Sequence, residues 1–285
     1  MTPDAGAPPD AHRFVPHPVP PSLQPWVTAL WWQHGPGVRR FEKVFPMQAV
    51  HLIVPFEGPY RVVSRGGAAV GDSLEVPFVS GIQTRWLVNE NPAVIANMGA
   101  EFTPLGIAAF TAAPPVELTD RVRAAEPVLP GAGELMAFAD AEPGAALAGL
   151  QHFLEERLRP GFTASESALA AWQRILDEPD TPIAEIAAGS GVSHKTLIAA
   201  FRRHCGLTPK VFADLCRFRA FIDALPVTGQ MPRWSELVAG TGYYDQPHFV
   251  RAFRRFTGFT PSGYLEALRE FGPGARWFVP MEQAG

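Results

Sequence analysis

The chain has 285 residues and a mass of 31.0 kDa, enough for one large or two ordinary domains with real cores. Apolar residues make up 47% and charged residues 18%, which excludes a disordered chain. The formal net charge is −4, yet residues 181–271 carry eleven Lys/Arg against seven Asp/Glu, so only this +4 segment suits a polyanion partner.

The N-terminus reads MTPDAGAPPDAHRF. It lacks the basic and apolar regions of a secretory leader. No apolar run reaches the roughly eighteen residues of a membrane span, so a cytoplasmic location is expected. Cys205 and Cys216 are too few for a disulfide framework and read as small buried residues.

Residues 1–25 hold eight prolines and predict an extended lead-in. Trp26, Trp31 and Trp32 follow and should anchor it to a core. From residue 41 to 111 the runs FEKVF, QAVHLIV, YRVVS, LEVPFVS, TRWLV, AVIAN and LGIAAF read as strands. Their short spacing predicts a β-rich sandwich or barrel over residues 26–160. PVELTDRV, GELMAFAD and AALAGLQHFLEERL read as helices closing that domain, and SESALAAWQRILDE as a helix beginning the next. A boundary falls between Arg159 and Ser165. A second, all-α domain occupies 165–271, and 272–285 is a tail. The fold class is therefore α+β, a β-rich domain followed by a helical one.

The helical domain contains a repeat. AFRRHCGLTP (200–209) returns as AFRRFTGFTP (252–261), identical at seven of ten positions. Upstream, AGSG (188–191) echoes AGTG (239–242). Each copy parses as helix, turn, helix. PIAEIAAGSG is followed by HKTLIAAFRRH with Ser193 as N-cap and Gly206 at the end. RWSELVAGTG is followed by QPHFVRAFRRF with Asp245 as N-cap and Gly258 at the end. Thr208-Pro209 and Thr260-Pro261 each place a cap and a first-turn proline before the next helix.

Helical spacing then separates faces. Phe249, Ala252, Phe253 and Phe256 turn inward, as do Leu197, Ala200, Phe201 and His204. Pro247, Val250, Arg251 and Arg254 turn outward, as do Lys195, Ile198, Ala199 and Arg202. A helix locked by one apolar face and offering arginine and small residues on the other fits a major groove. Between the copies, residues 208–225 predict a helix about 27 Å long at about 1.5 Å per residue. Such a spacer can hold two reading helices on successive turns of one DNA face, about 34 Å apart.

This segment resembles the double helix-turn-helix domain of AraC-type transcription regulators. GYYDQPHFVRAFRRFTGFTPSGY is close to that family's signature in order and spacing. The stretches FVPHPVPPSLQPWVTALWW, VSGIQT and EFTPLG are similar to the β-rich sensing domains of one AraC subset. The resemblance implies a sequence-specific DNA-binding regulator, activator or repressor, controlled by a small effector held in the N-terminal domain. It implies double-stranded DNA as partner, an effector, contact with RNA polymerase, and a monomer or homodimer.

By this resemblance the base-reading positions are Lys195, Ile198 and Ala199 in the first helix, and Gln246, Pro247, Val250 and Arg251 in the second. Arg251 can pair bidentately with guanine. Ile198 and Ala199 suit thymine methyls or shape more than polar readout. Ser193, Arg202, Arg203, Arg254, Arg255 and Lys210 are phosphate candidates; an intradomain salt bridge is an equal alternative for the arginines. His248, beside Phe249, reads as structural. In the N-terminal domain Trp31, Trp32, His51, Phe78, Trp86 and Phe102 are candidates to line a cavity, with Arg85 and Glu101 as polar anchors.

No catalytic residue, metal or cofactor is expected. His34 and His51 lack a metal-ligand spacing, and GxSxG, HExxH, CxxC and Gly-rich phosphate loops are missing from the sequence. The alternatives are a ligand-independent architectural DNA-binding protein, or a DNA-binding domain fused to an enzyme of unrecognised type.

Overall fold

Alternating apolar residues begin to build sheet earlier than the prolines suggest. The computed structural model describes residues 12–37, 39–225 and 246–282. Within them β1 (Arg13–His17) already pairs antiparallel with β2 (Val27–Pro36). Pro16 is tolerated because β1 lies at the sheet edge, where a missing N–H costs no ladder bond.

Two antiparallel, unclosed sheets result. The first runs β1-β2-β9-β4-β7-β10, with β4 (Val50–Pro55), β7 (Phe78–Ser80), β9 (Val94–Phe102) and β10 (Val122–Ala124). The second runs β11-β3-β8-β5-β6, with β3 (Phe41–Val44), β5 (Tyr60–Arg65), β6 (Ala68–Leu74), β8 (Leu87–Glu90) and β11 (Phe278–Met281). In β2, β4, β7 and β9 alternate residues face the space between the sheets and, on the other side, the buried core.

Several expectations change here. LEVPFVS is not one strand: β6 ends at Leu74 and β7 starts at Phe78, with Pro77 between them. LGIAAF is not a strand but a 3-10 turn over Gly106–Ala109, buried on every side. A short apolar run does not distinguish these outcomes by periodicity. Gly106 is required there, because a Cβ would collide with the Trp26 carbonyl oxygen. PVELTDRV and GELMAFAD form 3-10 turns over Pro115–Glu117 and Ala132–Phe138, and β10 follows the first of them.

The helices match their sequence signals closely. α1 (Pro143–Arg157) buries Leu147, Leu150 and Leu154. α2 (Glu166–Asp177) is capped by Ser165, whose side chain accepts from the Ala168 amide. α3 (Ile183–Gly189) and α4 (His194–Cys205) form the first helix-turn-helix, and α5 (Pro209–Ala224) is the spacer. α6 (Gln246–Thr257) and α7 (Pro261–Phe271) belong to the second copy. The expected RWSELVAGTG helix and the Asp245 cap lie outside the described residues.

The segment after α7 is not a free tail. Tyr264 donates its hydroxyl to the Arg276 carbonyl at 2.8 Å, and the Arg276 guanidinium donates to the carbonyls of Asp223 and Leu225. The chain then crosses to the second sheet, where β11 pairs with β3, Phe278 opposite Val44. The last helical turn of one half is thus stitched to a sheet edge of the other.

Candidate nucleic-acid interface and interior cavity

The two reading helices owe their placement to local chemistry. The Ser193 side chain accepts from the Thr196 amide at 3.1 Å, satisfying a donor at the start of α4. Gly206 ends α4 at φ 79°, and Gly258 ends α6 at φ 71°, left-handed positions that favour glycine. Thr208 and Thr260 cap α5 and α7, each followed by proline. Leu197 and Phe201 on α4 are fully buried, as are Phe253 and Phe256 on α6, with Phe249 beside them. Phe253 meets Phe218 and Phe221 of α5 edge-on, so the spacer forms the floor under the second reading helix.

The opposite faces remain open. Lys195, Ala199, Arg202 and Arg203 on α4 are exposed, and Ile198 is half-buried. Pro247, Arg251 and Arg254 on α6 are exposed, and Val250 is half-buried. The side chains of Gln246 and His248 lie outside those described. Lys210, at the start of α5, is exposed. Among the described residues no carboxylate lies within ion-pair distance of Arg202, Arg203, Arg251 or Arg254. Arg255 differs from its neighbours. Its guanidinium reaches Asp214 of α5 at 3.3 Å and covers the Phe256 ring, tying α6 to the spacer. Ser193 likewise spends its oxygen on the cap and on Thr196 Oγ1.

A cavity of about 490 Å³ lies between the two sheets. Strand alternation decides its wall. Ala29, Trp31 and Gln33 of β2 face it, as do His51 and Ile53 of β4 and Asn97 and Glu101 of β9. Glu42 and Val44 of β3 and Tyr60 of β5 close it from the second sheet. Trp31 lies over Gly99, where a Cβ would run into the indole. The Asn97 carboxamide oxygen accepts from Trp31 Nε1 at 3.2 Å and from Gln33 Nε2 at 3.1 Å, and its amide donates to the Tyr60 oxygen at 2.9 Å. Burial pushes the Tyr60 hydroxyl up to about 12. His51 Nε2 lies 3.3 Å from Glu101, and Thr28 donates to the same carboxylate. The hydrogen bond from His51 holds the Glu101 carboxyl below its usual range against the opposing effect of burial.

Of the cavity candidates read from sequence, Trp31, His51, Phe78 and Glu101 line it. Trp32, Arg85, Trp86 and Phe102 do not. Trp32 and Phe102 follow Trp31 and Glu101 by one residue, and the period of two turns them to the other face. Trp32 stacks on His34, and Phe102 meets Phe110. Arg85 is exposed and covers Gly66. Trp86 packs against the helical half. Sequence reading missed Gln33, Glu42, Phe45, Tyr60 and Asn97. Polar residues inside strands, at positions alternating with apolar ones, were the available signal.

The helix-turn-helix domain family matches residues 186–267, and a domain of unknown function, DUF6597, matches residues 12–123. Residues 186–267 therefore carry an AraC-type helix-turn-helix domain. Comparison with curated proteins found no match. Among solved structures it is similar to ToxT from Vibrio cholerae, with TM-score 0.47 and 11% identity over 84% of this chain and 98% of that one. ToxT bound to (E)-4-(8-methylnaphthalen-1-yl)but-3-enoic acid gives TM-score 0.46 and 11% identity over 84% and 99%. The C-terminal domain of AraT, a response regulator from Geobacillus stearothermophilus, gives TM-score 0.34 and 21% identity over 37% and 88%.

Both repeat copies touch the N-terminal half at the same place, the glycine ending the reading helix. The Gly206 carbonyl accepts from the Thr119 hydroxyl at 3.1 Å, and a Cβ there would lie 2.6 Å from the Pro115 carbonyl oxygen. A Cβ at Gly258 would lie 2.7 Å from the Trp86 indole. Lys43 Nζ lies 4.2 Å from the ring centroids of both Trp86 and Phe259. Burial holds that amine below its usual range. The connecting segment is itself wedged: Phe162 meets Trp26 on one side and His204 on the other.

Cys205 and Cys216 are both buried, and burial pushes each thiol up to about 12. Among the described residues no group of His, Cys, Asp and Glu could hold a metal, and no helix is long and apolar enough to cross a membrane.

Proposed function

We propose that this AraC-type chain is a sequence-specific transcription regulator whose DNA-binding half is controlled by a small molecule in the inter-sheet cavity. Lys195, Ile198 and Ala199 on α4, and Gln246, Pro247, Val250 and Arg251 on α6, read bases. Arg251 is the strongest reader, through a bidentate pair with guanine. Ile198 and Val250 hold equivalent places in the two copies and offer apolar contact to thymine methyls. Arg202, Arg203 and Arg254, with Lys210 and the capped start of α4 at Ser193, bind phosphates. Arg255 serves mainly to hold α6 on the spacer.

One side chain carries the argument for effector control. Phe45, 1% exposed, lines the cavity and also packs against the helical half. Its ring lies 6.4 Å from Phe218 of α5, 6.2 Å from Phe259 and 5.6 Å from Tyr264 of α7. Its amide donates to the Trp277 carbonyl at the start of β11. A ligand that moves or braces Phe45 favours one arrangement of this contact over another. Such differential binding is what shifts a population between states.

Filling the cavity from inside mimics a ligand. Ser80 lines it, far along the chain from every DNA-facing residue. Ser80→Phe should change affinity for a selected duplex by at least about fivefold, a coupling of about 1 kcal/mol or more, the lower end of the usual allosteric range. Unchanged affinity in a folded Ser80→Phe protein would speak for a ligand-independent DNA-binding protein.

A further inference from the structure

The charges of the cavity wall are unevenly paired. Four ionisable side chains other than Tyr60 line it: Glu42, His51, Arg61 and Glu101. The two basic groups already have partners. His51 faces Glu101, and Arg61 donates to Glu90 at 3.3 Å while half-exposed. Glu42 has none: its one hydrogen bond is from the Asn91 amide at 3.5 Å, and among the described residues no Lys, Arg or His lies within ion-pair distance. Burial raises its carboxyl above the usual range, the mark of an ionised form with little compensation.

A second acceptor is also left over. Gln83, 7% exposed, lines the same cavity. Its amide nitrogen donates to the Gly81 and Arg121 carbonyls at 2.9 and 3.2 Å, which fixes the orientation of the carboxamide. Its Oε1 has no hydrogen-bond partner among the described residues. By contrast Trp31 Nε1 and one N–H of the Asn97 amide are used within the Trp31–Gln33–Asn97–Tyr60 network. Apart from Gln33, Ser80, Asn89 and Asn91 the rest of the wall is apolar and aromatic, including Trp31, Phe45 and Phe78, and Phe14 and Phe278 carry it out to solvent.

We infer that the cavity takes an aromatic or otherwise apolar organic cation, an amine or quaternary ammonium compound, and rejects carboxylates of the same shape. A cation beside Glu42 supplies the missing counter-charge and stacks its charge on the aromatic faces, where desolvation strengthens the attraction. An anion would meet Glu42 and Glu101 with no unpaired base to receive it. This inference rests on reading the cavity as the effector site, and it names the ligand class for that site.

Three probes of one shape and different charge test it: 4-phenylbutylamine, 4-phenylbutanol and 4-phenylbutyrate. Binding to the full chain is measured by calorimetry and by intrinsic tryptophan fluorescence, in wild type, Glu42→Gln and Ser80→Phe. The amine is expected to bind at least about tenfold more tightly than the butyrate, the equivalent of about 1.4 kcal/mol. Glu42→Gln should reduce the amine to the level of the alcohol and leave the alcohol unchanged. Ser80→Phe should weaken all three. Butyrate binding as tightly as the amine, with both lost in Ser80→Phe, would overturn the ligand class and leave the effector cavity standing. Binding that ignores Ser80→Phe, or no binding of any probe, would overturn the effector cavity itself.

Discussion

The Phe45 ring lies 5.6 Å from the Tyr264 ring, at an interplanar angle of 62°. Phe45 follows a strand of the N-terminal sheet, and Tyr264 sits on the helix after the second reading helix. The two halves of the chain therefore share one buried aromatic cluster, which Phe218 and Phe259 complete. Phe45 therefore joins the cavity wall directly to the helical half.

The equivalence of Gly206 and Gly258 yields a stability test with a built-in control. Gly191 also has positive φ, at 67°, but a Cβ added there would meet nothing within 4 Å. Gly191→Ala should cost only the left-handed penalty of about 1–2 kcal/mol. Gly206→Ala and Gly258→Ala add a clash with Pro115 and with Trp86, and should each cost at least about 1 kcal/mol more unless the halves separate. Urea denaturation of the three variants measures this. Equal losses in all three would mean that these glycines do not seat the helical half.

Arg251 and Arg254 should fail differently. Arg251→Ala should lose about 1–3 kcal/mol of discrimination at one base pair and retain affinity elsewhere. Arg254→Ala should weaken every duplex alike and lower the salt slope by about 1. Titration of a specific site and its single-base variants across salt concentrations separates the two. A uniform loss on Arg251→Ala would make it a phosphate contact.

His204 gives the stability a pH dependence near neutrality. It is buried, and its Nε2 accepts from the Ser165 amide at 3.4 Å, which requires a neutral ring. Burial, then the nearby Arg203 charge, holds it below its usual range. The unfolded chain therefore takes up a proton near pH 6.5 before the folded chain does, so stability is full above that pH and falls as pH drops below it. His204→Gln should remove part of this fall. The difference in unfolding free energy between wild type and variant should shrink from pH 7.5 toward pH 5.5, a window of about one pH step either side of the free imidazole. A difference independent of pH would mean that the ring titrates freely.

Thiol chemistry should be silent in the native protein. With both thiols buried and raised to about 12, Cys205 and Cys216 should resist a disulfide reagent at neutral pH and react on unfolding. Rapid native labelling of either would favour the enzyme alternative.

The helical half is readable from sequence because its signals are local. Ser193, Thr208 and Thr260 cap their helices, and Gly206 and Gly258 end them, each through bonds within a few residues. The repeat then fixes the facing of α4 and α6. Long-range pairing leaves no such trace. Nothing in PGARWFVPM announces that β11 joins the sheet beside β3. β1 is hidden by Pro16, whose cost vanishes only because the strand is an edge. In the cavity, residue type picks out Trp31 and Glu101 but equally their neighbours Trp32 and Phe102, because strand register decides which face is inside. Trp86 looks like a ligand contact by type and instead packs beneath Gly258.

The most direct measurement is selection of random duplex DNA by the full chain at about 150 mM salt, where non-specific binding is weak. Two enriched blocks centred about ten base pairs apart, one for α4 and one for α6, are the predicted result. The α6 block should be the sharper, with a guanine at the position that Arg251→Ala relaxes. Binding of every duplex alike, weakened by salt and without an enriched block, would contradict the account.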